Sequence, residues 1–153
     1  MPFTGSNDYT TGRANPITPD GAELASMRFT LALTTGDLAL NTIGQIGILP
    51  AGCYPVQILV DGTDMDSGAA AMVLNVGILD AAGTALSTAA ADGGAAWGST
   101  TAVNTAFQQQ ILSQPMCTVT KADVDRKIGI KVATAPTAAV AGTLGLTLIY
   151  RSF

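Results

Sequence analysis

The residues dense enough to do chemistry in this 153-residue chain are three aspartates, Asp61, Asp64 and Asp66, in the run DGTDMDSG. Several carboxylate oxygens on one tight loop can hold a hard cation such as calcium. The spacing lacks the full D-x-[DN]-x-[DN]-G pattern and a distal glutamate. The reading is therefore a turn whose carboxylates cap backbone amides, with a calcium loop as the alternative; no metal is expected. The same residues offer a carboxylate pair for glycoside hydrolysis, but nothing places them in a cleft.

Histidine is absent. That removes the commonest general base and the commonest zinc ligand together. Gly-x-Ser-x-Gly is missing too, and Gly93-Gly94 lacks the lysine and the strand–helix setting of a phosphate loop. No catalytic residue and no cofactor are expected, and the chain does not read as an enzyme. Two cysteines, Cys53 and Cys117, lie beside apolar strand residues. Buried free thiols are expected there, with a disulfide as the alternative.

Composition narrows the partners. Charged residues make up 12% of the chain, against roughly 25% in an average domain, and the formal net charge is −4. Phosphate binding needs clustered lysine and arginine. The one cationic cluster here, Lys121, Arg126, Lys127 and Lys131, is interrupted by Asp123 and Asp125 and reads as a solvated turn and strand face. No nucleic-acid partner is expected. No apolar run approaches the ~20 residues of a membrane helix, and the opening MPFTGSNDYTTGR is polar, so a soluble chain without an export signal is expected. A surface so poor in charge is either built of small residues or covered by partners.

Short apolar runs closed by Gly, Pro or Asp carry these residues. Residues 27–33 alternate, with Met27, Phe29, Leu31 and Leu33 on one face. Residues 46–49, 54–60 and 70–79 follow as strands around two turns, with Val56, Ile58 and Val60 sharing a face. Residues 70–79 are apolar on both faces, which favours a central strand and self-association. Short strands are expected at 38–40 and 84–87. Strands at 127–133 and 142–150 close the domain, the last with Leu144, Leu146, Leu148 and Tyr150 inward. Residues 120–123 fit a single helical turn capped by Thr120.

Two stretches break the pattern. Residues 1–20 hold three prolines and little periodicity, and read as a flexible tail or an extended N-terminal arm that orders against a neighbour, with Phe3, Tyr9 and Ile17 as spaced anchors. Residues 88–110 read as a long loop of small residues around the only tryptophan. Trp97 is either tucked onto the core or an anchor for a partner. Phe3, Tyr9, Ile17 and Trp97 are the candidate partner-binding residues. The whole gives an all-β, antiparallel jelly-roll or β-sandwich of about eight to ten short strands over residues 21–153, preceded by the arm.

The run LPAGCYPVQILVDGTDMDSGAAAMVLNVGILDAAGT and the ending KIGIKVATAPTAAVAGTLGLTLIYR resemble tailed-bacteriophage capsid decoration, or cement, proteins. The shared pattern is L-P-A-G, an aspartate-rich D-S-G loop, V-L-x-V-G-I-L-D and G-x-x-G-L-T-L-x-Y-R, spread over residues 23–151. The resemblance implies a jelly-roll structural protein that is made in the host cytoplasm and sits on the capsid exterior. It further implies a dimer or trimer, the major capsid protein of an HK97-type shell as partner, and no catalytic residues. Alternatives are a spike or tail recognition module that binds a glycan or receptor, and a head–tail or tail component.

Overall fold

In the computed structural model, residues 2–21 and 23–153 are described. Eight strands follow one another: β1 (Leu24–Leu33), β2 (Ile43–Leu49), β3 (Cys53–Gly62), β4 (Val73–Ile78), β5 (Gly98–Ser99), β6 (Phe107–Ile111), β7 (Arg126–Thr134) and β8 (Gly142–Ser152). One short helix, α1 (Gln114–Cys117), lies between β6 and β7.

The strands form two four-stranded sheets, β1-β8-β3-β6 and β2-β7-β4-β5. The first strand pairs with the eighth, the second with the seventh, the third with the sixth and the fourth with the fifth, all antiparallel. This is one long hairpin rolled up so that its successive rungs alternate between two facing sheets. That arrangement is a jelly roll, as expected, with eight strands.

Alternation explains why the sheets face each other. In β1, Phe29 and Leu31 are each 1% exposed, while the alternating Arg28 and Thr30 point outward. Their ladder partners on β8, Leu146 and Leu144, are completely buried, as are Leu148 and Tyr150. From the other sheet, Ile46, Leu49, Leu74, Val76, Ile128, Ile130 and Val132 meet them across one continuous core. At Gly47 on β2 a methyl group would come within 2.6 Å of the Phe29 ring, so this close approach requires glycine.

Four local expectations are corrected. Val56 does not share a face with Ile58 and Val60: the ladder with β8 slips between Pro55 and Gln57, and Val56 is left exposed. Proline has no amide to give the ladder, which is why strands bulge there. Residues 38–40 are not a strand, because Thr35–Leu38 winds into a 3-10 turn around the buried Asp37 carboxylate. Residues 84–87 contribute only a single bridge, between Leu86 and Leu79. The helical turn expected at 120–123 lies at α1 instead, where Pro115 falls in the first turn and its fixed φ suits a helix start.

Candidate functional site

Asp61, Asp64 and Asp66 do not converge. Asp61 stands on the outer face of β3 and takes a bidentate ion pair from Arg28 of β1, at 2.5 and 2.6 Å. Asp64 accepts the amide of Asp66 at 3.2 Å. The Asp66 carboxylate is completely buried and accepts from the amides of Thr137, Ala138 and Gly68 and from the Thr137 hydroxyl, at 2.9–3.2 Å. Among the described residues no three potential ligands gather to hold a metal. Of the two readings, the geometry is that of amide capping: Asp66 latches the β3–β4 loop to the β7–β8 loop.

That latch is sensitive to acid. Burial pushes the Asp66 carboxyl up, but its four donors outweigh burial and hold its pKa at about 2. An aspartate in an unfolded chain titrates near about 3.9. The folded value is the lower one, so the stabilisation is complete above the unfolded pKa and is lost as pH falls from about 4 through about 2. Asp66→Asn is expected to flatten that part of the acid-unfolding curve and to lower stability at pH 7, since its NH₂ would face donors. Unchanged melts at pH 7 and pH 3 would refute the latch.

The N-terminal segment is not a free arm over residues 3–9. It lies along its own sandwich, across the side where β1 and β2 are the edge strands of the two sheets. The Phe3 ring packs on Gly44 of β2, where a methyl group would clash at 2.6 Å. Thr4 donates its amide and its hydroxyl to Asp37, both at 2.8 Å. The Asn7 amide bridges the two edges, reaching the carbonyls of Thr30 on β1 (3.1 Å) and Ile46 on β2 (2.8 Å). The Tyr9 ring meets Phe29 edge-on with centroids 4.9 Å apart. Farther on, the Ile17 carbonyl accepts the hydroxyl of Tyr150, whose pKa burial raises to about 12.

Phe3 and Tyr9 are therefore half-buried against this chain's own core, whereas the Ile17 side chain is 66% exposed. A methyl group on Gly5 would lie 2.1 Å from the Ala32 carbonyl oxygen, a backbone atom that cannot step aside. Gly5→Ala is expected to lift residues 3–9 off the sandwich and leave the two sheets folded. Faster amide exchange confined to that segment is the readout; unchanged exchange would refute the contact.

Trp97 is also corrected as a candidate anchor. It is completely buried, and its indole N–H donates to the Asp92 carbonyl at 2.9 Å. The tucked-in alternative is the one the structure bears out, since a ring with no exposed surface offers nothing to a partner. The loop around it is pinned by Arg126, which donates to the carbonyls of Ala91, Cys53 and Thr120 and pairs with Asp92 at 3.4 Å. Arg126 is thus a buried clamp and does not belong to a solvated cationic face. The cysteines are both free, but only Cys53 is buried; Cys117, at the end of α1, is exposed.

What the geometry does gather is apolar. Of the eight large hydrophobic side chains exposed among the described residues, six are Ile17, Leu24, Val56, Leu112, Val124 and Phe153. Leu24, Val56 and Phe153 stand together at the end of the first sheet where β1 and β3 begin and β8 finishes, whereas Val124 lines a separate groove beside Leu79 and Lys127. Leu24, Arg151 and Tyr54 form one cross-strand row there. The Arg151 guanidinium lies 4.6 Å over the Tyr54 ring, and the Phe153 ring is 4.6 Å from it on the other contact. A groove of about 450 Å³ runs among Leu24, Tyr54, Pro55, Val56, Cys117 and Arg151. Of those six exposed side chains, sequence reasoning picked out only Ile17. The one available signal was Pro55, whose bulge turns Val56 outward.

The chain is similar, at 27% identity and a TM-score of 0.80, to a chain in the capsid structure of Ralstonia phage GP4, over 95% of this chain and 96% of that one. It is also similar to a chain in the capsid asymmetric unit of cyanophage Pam1, at 22% identity over 90% of each chain, with a TM-score of 0.49. That second likeness is too distant to bear on function. No protein-family model matches the chain, and no curated protein matches it.

Proposed function

We propose that this chain is a structural protein of a tailed-phage virion that binds the outside of the capsid and stabilises the shell by bridging major capsid subunits. The observation that supports this is the match to a chain of the Ralstonia phage GP4 capsid across nearly the full length of both. The motifs shared with decoration proteins point the same way. In this reading the jelly roll is a rigid body seated on or between capsomers as a dimer or trimer. Residues 1–20 add contacts to neighbours through the exposed Ile17. Many such contacts, each weak, multiply when one rigid body engages several subunits at once.

The test is a saturation binding experiment with purified protein and expanded HK97-type shells that lack it, followed by heating. Saturation at a simple ratio to the major capsid protein, with a raised rupture temperature, is the expected result. Shells that neither bind the protein nor gain heat resistance would overturn the proposal.

A further inference from the structure

We infer that the apolar end of the sandwich, centred on Leu24, Tyr54, Val56, Arg151 and Phe153, is the face that seats on the shell. This rests on the shell-binding reading above and adds to it the surface and the chemistry of its partner. Three observations carry it.

Exposed apolar residues are unevenly placed. Leu24, Val56 and Phe153 gather around one groove and the Tyr54 ring, and clustered apolar surface marks interaction sites where scattered residues do not. The cluster is also built from tyrosine, arginine and phenylalanine held in contact, at 4.6 Å for both the cation–ring and the ring–ring pair. Tyrosine and arginine are the side chains that dominate binding energy at protein interfaces. They stand on paired strands, so the face is formed before any partner arrives.

Charge then specifies the partner. Arg28, the other exposed guanidinium on this sheet, is neutralised by Asp61. Among the described residues, Arg151 has no carboxylate within ion-pair distance and no hydrogen-bond acceptor, so its N–H fork is free to receive a bidentate carboxylate. Asp20 and Glu23, just before β1, likewise pair with no cation. The matching shell surface therefore has an apolar centre, a carboxylate to meet Arg151, and lysine or arginine toward Asp20 and Glu23. The outer face of the second sheet, with Gln45, Asn75, Lys127 and Lys131 pointing out, lacks such an apolar centre.

The experiment compares wild type with Leu24→Ser/Phe153→Ser, Arg151→Glu and Arg151→Lys in the shell-binding assay. Leu40→Ser, an equally exposed leucine beyond the opposite end of β1, is the control. Thermal melts establish that each variant is folded, and Arg151→Glu alters only an exposed side chain. The double variant and Arg151→Glu should each weaken binding by about tenfold or more. Arg151→Lys should retain part of the affinity, and Leu40→Ser should bind as wild type. If wild type binds and the rim variants bind equally well, this surface assignment falls while the shell-binding reading stands. If wild type does not bind, the shell-binding reading itself fails and the assignment with it. Loss of a concentration-dependent dimer in the rim variants, with shell binding intact, would make the face a contact between copies and also overturn the assignment.

Discussion

Leu31→Asp is expected to leave the chain without a cooperative melt. Leu31 is 1% exposed and sits on β1 opposite Leu144, which is completely buried. Losing the buried leucine forfeits about 1.5–3 kcal/mol. A carboxylate in its place is worse, because breaking into an apolar core with an unpaired charge costs several kcal/mol more. A domain of this size has roughly 5–15 kcal/mol in total, so the sum consumes most or all of it. Circular dichroism with thermal scanning checks this; a soluble variant with a sharp transition near the wild-type temperature would contradict the burial. Arg28→Ala, three residues away and facing water, is the contrast: it breaks an exposed ion pair and should shift stability by at most about 1 kcal/mol.

Trp97→Ala is expected to cost about 3–5 kcal/mol, the usual range for removing a large buried aromatic. The loop's small residues cannot refill the space, and the Asp92 carbonyl loses its indole donor. The effect should spread to the clamp, since Asp92 and Ala91 are both held by Arg126. Trp97→Phe, which keeps most of the volume and loses the hydrogen bond, should cost less. In the intact protein the single tryptophan should emit at short wavelength and resist iodide quenching until urea unfolds the chain. A red-shifted, readily quenched emission from the folded protein would refute the buried position.

The strands that could be read from the residues are those with strict two-residue alternation of large side chains, such as Met27–Leu33 and Leu144–Tyr150. There the buried face declares itself. β6 could not be read that way: its Gln108-Gln109-Gln110 run has no apolar alternation, and its large apolar side chains, Phe107 and Ile111, stand only at its ends. Val56 was misplaced because a bulge shifts register by one residue, and alternation says nothing about where a ladder slips. Arg126 was read as a solvated charge, and the partners that Asp66 caps could not be named, because burial of a charge depends on donors and acceptors distant in the chain, such as Thr137 and the carbonyl of Cys53. The apolar end was illegible for the same reason. Leu24, Val56 and Phe153 are far apart in sequence, and only the rolled hairpin brings them to one place.

The strap along β1 and β2 has a consequence for how copies of this chain can meet. A rolled hairpin leaves two open sides, one between β1 and β2 and one between β5 and β6. Strand-to-strand polymerisation needs an open backbone edge on both sides, so that each copy can both accept and extend. Asn7 already occupies edge carbonyls of β1 and β2, and β5 is only two residues long. Edge pairing through β6 can therefore join two copies and then has nowhere to continue. At high local concentration, that difference separates a closed pair from a fibre.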